Sequence, residues 1–102
     1  MDIIFHAHHA VISDGMQRRA ERVLRRLAER LRKPVDAVVR FEQDGSMRRL
    51  EIVLRAPRRR PLVAEGFSRS FGPALAEAAA RMESQIRRRK RTIGRARRRV
   101  RS

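Results

Sequence analysis

Three features of the sequence predict an α+β domain of order β-α-β-β-β-α, a four-stranded sheet with two helices packed on one face. Two stretches carry apolar residues at spacings of three and four, and four shorter ones carry them alternately. An Asp-Gly pair between two of the alternating runs marks a hairpin. Each helical stretch has a single apolar stripe, so each buries one side, and both are expected on the same face of the sheet.

Residues 2 to 8 open the chain as a strand, with Ile3, Phe5 and Ala7 opposed to Asp2, Ile4, His6 and His8. Ser13 then stands before Asp14, a cap and an acid suited to the start of a helix. That helix places Met16, Ala20, Val23, Leu24, Leu27 and Leu31 on one stripe and arginines on its other faces, and Pro34 is read as its stop. Residues 35 to 41 alternate again, with Ala37, Val39 and Phe41 together. Asp44-Gly45 turns the chain into a third strand, roughly Arg48 to Ala56, with Leu50, Ile52 and Leu54 on one face. A basic turn bounded by Pro57 and Pro61 leads to a fourth strand, Leu62 to Ser68. The strand–helix–strand opening makes the first two strands parallel neighbours, and hairpins add the other two.

Pro73 suits the first turn of the second helix, where its missing N–H has no partner to lose. Leu75, Ala78, Ala79, Met82 and Ile86 form its stripe, and Arg87 to Arg91 follow as an unbroken run of cations. Beyond Gly94, the segment RARRRVRS has no apolar stripe. The expected division is a domain over 1–93 and a disordered, arginine-rich tail over 94–102.

The chain has 102 residues, with 27 Lys plus Arg against 11 Asp plus Glu and a formal net charge of +16. Guanidinium forks suit bidentate contacts to phosphate, so a polyanion, above all nucleic acid, is the leading partner. Four phenylalanines, with no Trp or Tyr, supply little for stacking bases. Binding is therefore expected to phosphates and to shape rather than to base edges.

Catalysis finds little support. There is no cysteine, hence no disulfide or thiolate chemistry, and there is no glycine-rich phosphate loop. Glu51 and Glu65 are read as ion-pair partners of Arg49, Arg55 or Arg69 rather than as an acid/base pair. His6, His8 and His9 raise a metal site, but zinc normally takes three or four ligands, and nothing in the sequence completes the set. No cofactor, metal, small-molecule substrate or enzymatic activity is expected. The start lacks a signal-peptide pattern, and no window approaches a membrane span, so a cytoplasmic protein without a membrane partner is expected.

The opening MDIIFHAHHAVIS, the helix positions Met16, Ala20, Leu24 and Leu27, the strand end Ala64-Glu65-Gly66 and the series Glu77, Arg81-Met82-Glu83, Gln85-Ile86 occur in a telling order. Over Met1 to about Thr92 they resemble the ribosome hibernation-promoting factor and ribosome-associated inhibitor family, also called sigma-54 modulation proteins, in its short form. Departures lie in the first helix, where Val23 holds a basic position with Arg22 adjacent, and at the start of the second. Gly72 stands where the family has an aromatic, with Phe71 one residue early, and Ala76 and Ala80 replace acidic or amide positions.

The resemblance implies the same β-α-β-β-β-α fold. It also implies a monomer off the ribosome that binds the small ribosomal subunit and its rRNA in the tRNA/mRNA channel, inhibiting translation under stress or in stationary phase. Arg26, Arg81, Arg88 and Arg91 match basic positions of the family, and Arg22, Arg25, Arg89 and Lys90 join them as RNA-binding candidates on the same two helices. The alternative is a general or nucleoid-type nucleic-acid-binding protein using the same helices without ribosome specificity.

Overall fold

A computed structural model describes the backbone of residues 1–31 and 36–101 and the side chains of residues 1–31 and 36–90. The elements follow in the expected order: β1 (Ile3–His8), α1 (Asp14–Ala28), β2 (Asp36–Asp44), β3 (Met47–Arg55), β4 (Leu62–Ser68) and α2 (Phe71–Arg101). The strands lie in the order β1-β2-β3-β4. β1 runs parallel to β2, whereas β2–β3 and β3–β4 are antiparallel. Gly45, at φ +60°, closes the β2–β3 hairpin in a two-residue turn, the backbone region that glycine enters without steric cost.

Alternation and helical spacing meet in one core. Ala37, Val39 and Phe41 of β2, Leu50, Ile52 and Leu54 of β3, and Leu62 and Ala64 of β4 face Ala20, Leu24 and Leu27 of α1 and Leu75, Ala78, Met82 and Ile86 of α2. Ile3 and Phe5 pack at its margin, whereas Ala7 is exposed near the end of the edge strand. Phe71 sets the start of α2, with its ring edge-on to Phe41 at 5.3 Å and the Arg48 guanidinium 5.8 Å from its centre.

Gly66 fixes how closely α2 can lie on β4. A Cβ at this position would stand 1.9 Å from the carbonyl oxygen of Ala74 and 2.9 Å from the Ala78 nitrogen, both backbone atoms that cannot swing aside. Only glycine permits that approach.

Several boundaries differ from the sequence reading. Ser13 caps α1 as expected, its Oγ accepting from Met16 N–H at 3.1 Å. The helix nevertheless ends at Ala28, where Arg30 N–H to Leu27 O and Leu31 N–H to Ala28 O tighten the last turn. Pro34, taken as the stop, lies outside the described residues. α2 begins at Phe71, two residues before Pro73, which keeps its expected place in the first turn. At its other end, the helical backbone passes through Gly94 to Arg101, into the stretch read as a disordered tail. Arginine and alanine both favour helix, and no proline follows Pro73 to end it. The side chains of that stretch lie outside the described residues.

Candidate nucleic-acid interface

α1 and α2 lie side by side over the sheet, and the seam between them is shallow because α2 brings small residues to it. Val23, Arg26 and Leu27 of α1 and Arg30 in the turn after it face Ala76, Ala79, Ala80 and Glu83 of α2 around a cleft of about 260 Å³. Ala76 and Ala80, the positions where acids or amides were expected, are therefore part of its floor. Further along α2 a second, wider concavity of about 670 Å³ is lined by Ser84, Arg87, Arg88 and Lys90. Among the described residues lining the two hollows, five cations stand against one acid, Glu83.

The eight candidate residues separate into groups that the helical wheel alone does not resolve. Arg26, Arg88 and Lys90 line the hollows. Arg22 is exposed one turn before Arg26. Arg25 pairs with Glu21 at 2.8 Å along α1. Arg91 lies outside the residues whose side chains are described.

Arg81 and Arg89 turn the other way, towards the edge strand. Arg81 donates to the Glu65 carbonyl at 2.9 Å, Gln85 to that of Val63 at 2.6 Å, and Arg89 to that of Arg60 at 2.5 Å. Spaced by four along α2, these side chains cover carbonyls along β4 and the loop before it, shielding an edge that would otherwise invite another strand. Burial, together with the nearby Arg59 charge, lowers the pKa of Arg89 below the usual arginine range.

Arg30 and Arg87, which line the cleft and the wider hollow, were not singled out from the sequence. The available signal was spacing: Arg30 is one turn beyond Arg26. Arg19 also reaches across from α1, its Nη1 3.1 Å from where a Cβ on Gly72 would stand.

The open sheet face has a different electrostatic character. Arg49 is hydrogen-bonded to Glu51 at 2.9 Å, to Glu42 at 3.4 Å and to Glu65, while Arg40 stands 3.8 Å from Glu51. The hydrogen bond from Arg49 is the main influence holding the Glu65 carboxyl below the usual range, and the Arg49 charge adds to it. Beside this network, Ile4, Val38, Val53 and Val63 sit at one register level across all four strands.

Rigid cations along a groove can hold a phosphodiester backbone, each guanidinium offering paired donors to phosphate oxygens. Among the described residues, no three His, Cys, Asp or Glu side chains converge to hold a metal ion, and no helix is long and apolar enough to cross a membrane.

Comparisons with known proteins agree with this fold. Residues 3–93 match the family model described as sigma 54 modulation protein / S30EA ribosomal protein. The fold superposes on the crystal structure of the Thermus thermophilus Protein Y N-terminal domain with a TM-score of 0.77 at 25% identity, covering 86% of this chain and 98% of that one. It also superposes on a ribosomal subunit interface protein from Coxiella burnetii with a TM-score of 0.76 at 16% identity, covering 88% and 98%. No curated protein sequence matches the chain.

Proposed function

The chain belongs to the sigma 54 modulation protein / S30EA ribosomal protein family, and from that premise we propose that it is a ribosome-binding hibernation factor acting without catalysis. It occupies the tRNA/mRNA channel of the small subunit, with the seam between α1 and α2 laid against rRNA. The observation that carries this reading is the local charge: Arg26 and Arg30 border the cleft at the seam, and Arg87, Arg88 and Lys90 a second hollow further along α2, with a single acid among the described lining residues.

The physical action is occlusion. Packing of both helices on one core fixes the spacing of their cations, so a folded RNA surface of matching phosphate geometry is favoured over a flexible strand. A bound domain excludes tRNA and mRNA by volume. Inhibition is then reversible and needs no cofactor, membrane or small-molecule substrate. The protein works as a cytoplasmic monomer under stress or in stationary phase.

Co-sedimentation of the purified protein with ribosomal particles, in the presence of excess free RNA and DNA, tests this. Retention on small subunits and inhibition of translation are expected. Displacement by free nucleic acid in proportion to its phosphate content would instead identify a general nucleic-acid binder. Affinity should also fall linearly on a log–log plot against salt, by roughly 0.7 to 0.9 per phosphate contact. A total slope shallower than about 2 would argue against arginine–phosphate contacts as the main source of affinity.

A further inference from the structure

One ion pair spans the seam. Arg30 Nη1, in the turn that follows α1, donates to Glu83 Oε1 of α2, two residues 53 apart in sequence, and both side chains stay substantially exposed, at 45% and 35%. An exposed pair of this kind contributes little to stability. Its position makes it costly for a protein that binds polyanions, because Glu83 is the acid among the described residues lining the groove and it engages one of the cations.

A carboxylate and a phosphodiester both present two acceptor oxygens to a guanidinium fork, so one can replace the other at the same donors. The floor beside the pair is Ala79 and Ala80, which leaves room for an incoming group. The geometry points to Arg30 as a phosphate subsite within the groove, with Glu83 as its internal counter-ion, displaced when an RNA phosphodiester enters. This deepens the proposed function and rests on its reading of the seam as the RNA-binding surface.

The arrangement has two consequences. Glu83 holds the Arg30 fork at the groove in the unbound protein, which reduces the rotamer freedom lost on binding. It also sets a threshold: an isolated anion must displace the carboxylate alone, whereas an RNA backbone that also reaches Arg26 and Arg87 does so with help. Discrimination against scattered polyanion follows.

The test compares Glu83→Gln with Glu77→Gln, each removing one negative charge from α2. Glu77 pairs with Arg81 at 2.9 Å on the side that faces β4. Affinity for a short RNA duplex is measured across a salt series, with circular dichroism confirming the fold of each variant. Glu83→Gln should tighten binding about three- to fivefold more than Glu77→Gln, the equilibrium factor associated with an exposed ion pair. In an Arg30→Gln background that advantage should vanish, and Arg30→Lys should restore part of it. Equal gains from both glutamate variants, or a gain that survives loss of Arg30, would overturn the subsite. The same variants assayed on ribosomal particles keep the two ideas apart. RNA-duplex results as expected, with no ribosome retention by the wild type, would leave the subsite standing and remove the ribosome reading. Ribosome retention indifferent to both Arg30 and Glu83 would do the reverse.

Discussion

The helix seam and the open sheet face are built with the same cation, arginine, and differ in the company it keeps. On the sheet, Arg49 alone gathers Glu42, Glu51 and Glu65, and Arg40 approaches Glu51. At the two hollows along α2 the ratio reverses, with Arg26, Arg30, Arg87, Arg88 and Lys90 against Glu83 among the described lining residues. A net charge of +16 is shared by the whole chain, so it cannot by itself locate the interface. Local balance can. Where carboxylates close the guanidinium forks, arginine serves the fold, and where cations outnumber acids the surface suits a polyanion.

The substitution expected to break both faces together is Gly66→Ala. A methyl group 1.9 Å from the Ala74 carbonyl oxygen forces α2 off β4, which dismantles the seam and one side of the core. A cost of at least about 3 kcal/mol is expected, seen as a melting-temperature drop of more than about 10 °C by circular dichroism. An unchanged melt would mean that α2 does not dock as described.

Arg49→Met should disturb the sheet face alone, by about 1–2 kcal/mol, while the folded variant binds ribosomes like the wild type. Its pH dependence sharpens the point. Arg49 lowers the Glu65 pKa in the folded state, so the stability Glu65 contributes is present above the ordinary carboxylate value of about 4.3 and is lost as pH falls through the lowered one. The wild type should therefore lose stability as acid is added below about pH 4, and Arg49→Met should lose less over the same range. Parallel acid limbs in the two proteins would show that the network does not act through Arg49.

The smallest effect is expected from Ser13→Ala, which touches neither face. Losing the cap on Met16 N–H should cost about 0.5–1 kcal/mol in a denaturant titration and leave RNA affinity unchanged. A change in affinity at constant stability would tie the start of α1 to the interface.

What the sequence made legible was whatever depends on near neighbours. The Ser13 cap and the Asp44-Gly45 turn are local choices, and the alternation of Leu50, Ile52 and Leu54 states which face of β3 is buried without reference to the rest of the chain. The candidate site was legible only in part, because a helical wheel gives phase but not neighbours. Arg81, Gln85 and Arg89 share one side of α2, yet only the position of β4 shows that they cover its carbonyls. Arg30 was passed over for a related reason, since only the fold brings it to Glu83 of α2. The length of α2 was obscured because its later turns lack an apolar stripe, whereas helix continuation depends on backbone bonds and on residues that favour them.

The most direct measurement compares two double variants that remove equal charge from different places. Arg26→Gln with Arg88→Gln takes cations from the two hollows, and Arg58→Gln with Arg59→Gln takes them from the exposed β3–β4 turn. Co-sedimentation with ribosomal particles and inhibition of translation are read for both, at matched salt and with the folds verified. The seam variant should lose both activities, and the turn variant should keep them nearly intact. Equal losses from the two would contradict the account and assign the binding to net charge alone.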